Sequence, residues 1–205
     1  MSSTLSDAIL TPNEITSTST STSTSTSSST FNHNLPTLNS LAIAKELDNF
    51  LSEETDCVAN MSNCASILWH AFLEARGADA INWCGFYIVR KISNKGKEIR
   101  EPVLVLGPFM GKPACRRIPY DKGVCGACAR TECPQLVHDV HHFEGHIACD
   151  DASQSEIVIP VFCDDELVAV LDIDCPKVGG FNDDDRVVLE KVVERLGQGS
   201  IWTNL

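Results

Sequence analysis

The sequence predicts an α+β fold in which a mostly antiparallel sheet of about six strands is flanked by helices. Three observations favour this fold class. Apolar residues recur at helical spacing near both ends of the folded part, β-rich runs lie between them, and an acidic turn joins two of these runs. With 205 residues, of which 43% are hydrophobic, the chain can bury the core of one compact domain.

Two helices are predicted to open the folded part. Apolar residues recur at near-helical spacing from residue 38 to 47, and Asn39 or Ser40 can cap the start of this helix. Three- and four-residue steps between apolar side chains continue from residue 58 to 72. That pattern is typical of an amphipathic helix, which Gly77 ends.

Strands and one short helix are predicted for the middle of the chain. Small residues recur at helical spacing over residues 123–131, a stretch that glycine opens. The β-rich runs 156–162 and 167–173 are joined by the acidic turn 163–166 and therefore predict a hairpin. The other strand candidates are 81–89, 102–106, 115–118 and 136–140.

A last helix is predicted to close the domain. Asn182 and the three aspartates that follow it form an acidic first turn, which the helix dipole favours. Apolar residues then recur at helical spacing up to Gly197.

A low-complexity segment precedes the folded part. Residues 16–30 are all Ser or Thr, and such a run has no apolar surface to bury. We therefore expect residues 1–37 to form a disordered tail and residues 38–205 to form a single domain.

Charge and hydropathy exclude several classes of partner. Acidic residues outnumber basic ones 28 to 16, which gives a net charge of −12. Phosphate backbones and anionic lipids would repel such a chain, so we expect neither nucleic-acid binding nor membrane binding. The first residues lack the basic and apolar regions of a secretory signal, so we expect a protein of the cytosol or nucleus whose cysteines are mostly reduced.

The ten cysteines are the most informative feature of the composition. Cys125 and Cys128 form a CxxC pair, a spacing found in zinc sites and in dithiol redox centres. Zinc would need further ligands, which nearby histidines could supply, but Gly126 and Ala127 fit a helix start better than a zinc knuckle. The candidate histidine ligands are His138, His142 and His146.

Most other cysteines fit a structural interpretation as small buried hydrophobic residues. Cys149 does not fit it, because it follows Gly-His-Ile-Ala and precedes two aspartates and therefore lies in a loop. The cysteines expected in the core are Cys57, Cys64, Cys84, Cys163 and Cys175.

Carboxylates and aromatic residues form a second candidate constellation. Asp172 and Asp174 interrupt an apolar run at alternate positions, so both point to one face of one strand. That face could be solvated or could line a polar cavity, and Glu156 could reach it from the other hairpin strand. Trp83 and Tyr87 share a face of the first strand, where they could pack in the core or line a ligand site.

Four segments resemble the free methionine-(R)-sulfoxide reductases, which are GAF-domain proteins. They are INWCGFYIV at 81–89, the segment 104–129 that contains KPACRRIPYDKGVCG, the segment 137–161 that contains GHIACDDASQSEIVIP, and VLDIDCP at 170–176. The resemblance extends from about residue 38 to 196 and implies a GAF fold.

The resemblance also implies roles for three cysteines. It assigns Cys149 as the nucleophile and Cys115 as the resolving cysteine, with Cys125 as the competing candidate for either role. The sequence departs from the family pattern at Cys128 and Cys133, whose extra thiols allow other disulfides.

The implied activity is reduction of free L-methionine-(R)-sulfoxide through a cysteine sulfenic acid and an intramolecular disulfide, which thioredoxin reduces. No cofactor and no metal are implied, and a homodimer is one assembly that the sequence allows. Two other hypotheses remain: a non-catalytic GAF module that binds a small molecule, and a zinc-stabilised interaction protein. The implied substrate-binding residues are Trp83, Tyr87, Glu156, Asp172 and Asp174.

Overall fold

The computed structural model describes residues 35–91, 102–146 and 150–202. The predicted tail falls almost wholly outside these ranges, so its disorder stays a prediction. The helices are α1 (Ser40–Leu51), α2 (Cys57–Arg76), α3 (Gly123–Thr131) and α4 (Asp183–Gly199). The strands are β1 (Trp83–Arg90), β2 (Val103–Gly111), β3 (Arg117–Pro119), β4 (Gln135–Val137), β5 (Ser155–Cys163) and β6 (Glu166–Cys175), and a 3-10 turn at Val140–His142 follows β4.

All six strands form one sheet in the order β3-β2-β1-β6-β5-β4, and every neighbouring pair is antiparallel. The hairpin of β5 and β6 turns through Asp164 and Asp165, both of which have positive φ, as a tight two-residue hairpin turn requires. The predicted fold class is therefore confirmed.

The sheet separates two layers of apolar side chains. Successive residues of a strand point to opposite faces, so Leu171 and Ile173 of β6 join the large core formed with α1, α2 and α4. Val170 points the other way, into a smaller cluster that includes residues of α3. Asp172 and Asp174 share the face of Val170, so they lie on the side of the sheet that α3 covers.

Helix caps and one buried ion pair fix the helix ends on the side of the sheet that carries the larger core. Gly77, at φ +88°, ends α2 as predicted. Asn182 and Asp185 form a reciprocal capping box at the start of α4. Arg76, in the last turn of α2, forms a buried ion pair with Asp185 and so ties the end of α2 to the start of α4.

Strand β2 continues five residues beyond the predicted end at residue 106. Gly85 is paired with Phe109 and Tyr87 with Leu106, so β2 contains one extra residue between these pairs. Pro108 lies in this bulge, where its missing N–H interrupts no regular ladder. A Gly-Pro sequence that signals a strand end is thus accommodated within the strand.

The two weakest strand predictions were displaced. Strand β3 starts at Arg117, so Cys115 precedes it, and β4 ends at Val137 before the 3-10 turn.

No helix in the described part of the chain is long and apolar enough to cross a bilayer.

Candidate active site

Three carboxylates meet on the α3 side of the sheet. Glu156 of β5 is paired directly with Asp174 of β6, and Asp172 is two residues before Asp174 on the same face. Glu156 and Asp172 are buried, each with 6% of its surface exposed. The open choice between a solvated face and a polar cavity is therefore decided for the cavity, because α3 covers this face and the carboxylates of Glu156 and Asp172 are buried on it.

Helix α3 places a thiol against these carboxylates. The Sγ of Cys125 lies 3.9 Å from Oε1 of Glu156, and donor atoms of Cys125, Glu156 and Asp172 all lie within 4.8 Å of one another. A Cβ on Gly126 would lie 2.6 Å from the carbonyl oxygen of Pro119, so glycine at this position permits α3 to approach β3 closely.

Burial controls the protonation of this cluster. Desolvation, followed by repulsion from neighbouring carboxylates, raises the pKa of Glu156, Asp172 and Asp174 well above the usual carboxyl range. The same two causes raise the pKa of the Cys125 thiol well above its ordinary value. These four groups therefore keep their protons to higher pH than they would in water, and Cys125 rests as a thiol at neutral pH.

His146 lies at the edge of the same cluster. Its Nε2 is 3.6 Å from Oε2 of Glu156, and desolvation lowers the pKa of the imidazole. The sequence interpretation considered His146 only as a zinc ligand. Its position in the GHIACD segment was a signal for the site, but its proximity to Glu156 depends on the tertiary fold.

The predicted aromatic wall borders the carboxylates. Trp83 stacks on Tyr87 with ring centroids 5.8 Å apart, and on Phe109 at 5.3 Å. The indole Nε1 of Trp83 donates to the carbonyl oxygen of Lys112 at 3.1 Å, which fixes the ring plane. Trp83 and Tyr87 share one face, as the sequence predicts, whereas no sequence signal marks Phe109 as part of the wall.

Two small adjoining cavities lie in this region, and both are lined by Asp172 and Asp174. One, of about 20 Å³, also contacts Cys125, His146 and Glu156, and the other, of about 10 Å³, contacts the aromatic wall and Lys112. A groove of about 590 Å³ between β5 and α4 is far larger, but none of the described cysteines lines it. The chemistry of the lining residues, and not the volume of the cavity, therefore identifies the candidate site.

The structure describes two of the three cysteines that the family resemblance assigns to the site. Cys115 is disulfide-bonded, Cys125 is a free thiol, and Cys149 lies outside the described residues. Cys128 is buried with its Sγ 3.8 Å from the carbonyl oxygen of Val158, and Cys133 is exposed.

The zinc hypothesis is not supported by the positions of its residues. The one group of three possible ligands found among the described residues is Cys125, Glu156 and Asp172, without Cys128 or a histidine.

Four of the five cysteines expected in the core are buried, whereas Cys163, beside the hairpin turn, is only half-buried.

Comparisons with known proteins agree with the fold and identify the family of the chain. The GAF domain family matches residues 47–199. Free methionine-R-sulfoxide reductase of Saccharomyces cerevisiae is 40% identical over 150 residues, which are 73% of this chain and 78% of that protein. The Escherichia coli protein of the same name is 38% identical over 152 residues, or 74% of this chain and 82% of that protein. A solved structure of fRMsr from Staphylococcus aureus in complex with substrate superposes with a TM-score of 0.68 at 38% identity, covering 80% of this chain and 97% of that one.

Proposed function

The chain belongs to the GAF domain family and, within it, to the free methionine-R-sulfoxide reductases, and we propose that it reduces free L-methionine-(R)-sulfoxide to L-methionine through a cysteine sulfenic acid. The observation that carries this proposal is the cluster of buried Glu156 and Asp172 with half-buried Asp174, beside the stacked rings of Trp83 and Tyr87. The cluster and the rings suit three groups of this substrate.

The substrate offers an ammonium, a polarised S–O bond and an S-methyl group. An ionised carboxylate of the cluster would pair with the ammonium. A protonated one, favoured because burial raises its pKa, would donate to the sulfoxide oxygen. The rings of Trp83 and Tyr87 would contact the methyl group and the sulfur.

The chemical step exchanges one oxygen atom and two electrons. The Cys149 thiolate attacks the sulfoxide sulfur while the oxygen accepts a proton, and the S–O bond breaks as hydroxyl transfers to the cysteine sulfur. Methionine leaves with its sulfur reduced, and Cys149 is oxidised to a sulfenic acid. The Cys115 thiol then displaces water from the sulfenic acid and forms a disulfide, which a dithiol such as thioredoxin reduces.

Support for this pairing comes from the described cysteines. Cys115 is disulfide-bonded, and the eight others that the structure describes are free thiols. Among them Cys125 is buried with a raised pKa, properties opposite to those of a nucleophile. We therefore propose Cys149 as the partner of Cys115, and the cytoplasm, where thioredoxin keeps thiols reduced, as the compartment.

A coupled assay tests the proposed function. NADPH oxidation would be followed with thioredoxin and thioredoxin reductase, using the R and S epimers of free methionine sulfoxide and of a peptide that contains it. We expect turnover of the free R epimer alone. Equal turnover of the S epimer or of the peptide would contradict the proposal.

A further inference from the structure

The charges that surround the two cavities are unbalanced. Their walls include Glu156, Asp172, Asp174 and Asp150. His146, the imidazole on these walls, has a lowered pKa. Among the described residues that line either cavity, Lys112 is the one Lys or Arg side chain. A free amino acid also has a carboxylate, which this acidic site would repel unless a cation receives it.

The backbone of Lys112 is held against the aromatic wall. Its carbonyl oxygen accepts the indole N–H of Trp83 at 3.1 Å. Gly111 precedes it at φ +125°, and a Cβ there would lie 2.8 Å from the carbonyl oxygen of Asn82. The close approach of β2 to the start of β1 thus depends on Gly111 and fixes the point from which the lysine side chain extends.

The ammonium of Lys112 is paired with Asp150, but it could exchange this partner for a ligand. Its Nζ lies 3.3 Å from Oδ2 of Asp150, and its side chain is 72% exposed. Asp150 has other partners, because it also accepts the N–H of Ala152 at 3.1 Å and contacts the side-chain amide of Asn82. The carboxylate of Asp150 would therefore keep hydrogen bonds if Lys112 turned to a ligand.

We propose that Lys112 forms the subsite for the α-carboxylate of the free amino acid, an inference that rests on the proposed function. The carboxylates and rings then bind the ammonium and the sulfoxide end, while Lys112 binds the acid end. A methionine sulfoxide within a peptide has an amide at that position and gains nothing from this cation. Lys112 is thus a determinant of specificity for free amino acids.

The test removes one charge from the enzyme and the matching charge from the substrate. Lys112→Met keeps the aliphatic stem without the ammonium, and Lys45→Met, at an exposed position of α1, is the matched control. Each would be assayed with L-methionine-(R)-sulfoxide and with its α-carboxamide, at about pH 6.5 so that the substrate amine stays protonated.

We expect Lys112→Met to lower kcat/KM for the acid by about tenfold, mainly through KM, and to change that for the amide less than about twofold. Lys45→Met should change neither value. An equal loss for both substrates, or no loss for the acid, would overturn the proposal.

A binding measurement distinguishes the failure of this inference from the failure of the proposed function. If the wild-type protein turned over neither compound, the proposed function would fail. Calorimetric titration of L-methionine and L-methioninamide would still decide the subsite. Weaker binding of L-methionine alone to Lys112→Met supports it, and identical affinities in wild type and variant would overturn it.

Discussion

Glu156 and Asp174 are direct cross-strand partners in the antiparallel register of β5 and β6, and both line the cavity that α3 covers. Two ionised carboxylates in such a position repel each other, and neither has a buried Lys or Arg as an ion-pair partner among the described residues. Retained protons resolve this conflict, since repulsion from Asp174 contributes to the raised pKa of Glu156. The fold thus holds carboxyl groups of raised pKa at the place where a ligand cation would stabilise their ionised form.

Replacing Asp172 should separate stability from activity. Its carboxyl is buried, and its Oδ1 lacks a hydrogen-bond partner within the described residues. Asp172→Asn should therefore raise the free energy of unfolding by about 1–2 kcal/mol, while kcat/KM falls by about 10²-fold. Urea denaturation and the coupled assay measure the two effects, with exposed Asp79→Asn as the control. Loss of stability with unchanged kinetics would show that the residue is structural.

The raised pKa values of the three carboxyl groups predict that the stability of the protein depends on pH. The raised carboxyl pKa values mean that, above the unfolded value of about 4, the folded protein holds protons that the unfolded chain has released. Stability should thus fall as pH rises toward the folded pKa values. Above about pH 4 the fall should be steeper in wild type than in Asp172→Asn, because the variant lacks one of the carboxyl groups whose pKa is raised on folding. Parallel curves would contradict this account.

The sequence predicted much of this architecture because its local signals agree with the tertiary structure. The alternation of residues 170–174 placed Asp172 and Asp174 on one face, but periodicity could not say which face was buried. That choice depends on α3, which covers the Val170 face. His146 and Lys112 were not predicted as site residues because their partners, Glu156 and Asp150, are distant in sequence.

Cys125 should prove unreactive in the native protein. A buried thiol with a raised pKa forms little thiolate, whereas Cys133 is exposed. Brief alkylation with iodoacetamide and peptide mass spectrometry should find Cys133 modified and Cys125 intact, with Cys133→Ser as the control. Labelling of Cys125 at the rate of Cys133 would restore it as a candidate nucleophile.

The predicted disorder of the tail is tested by truncation. Deleting residues 1–33 should leave Tm and kcat/KM essentially unchanged, because a Ser/Thr run contributes no apolar core. Thermal denaturation and the coupled assay measure both. A drop of several degrees in Tm would mean that the tail stabilises the domain.

Methionine released per chain without a reductant tests the central claim most directly. Cys115→Ser should release about one methionine per chain and leave a sulfenic acid on Cys149 that dimedone traps, because the nucleophile is intact and the resolving thiol is missing. Cys149→Ser should release none, because a serine hydroxyl is a far poorer nucleophile toward sulfur than a thiolate. Release of a full equivalent of methionine by Cys149→Ser would contradict the account and assign the nucleophile to another cysteine.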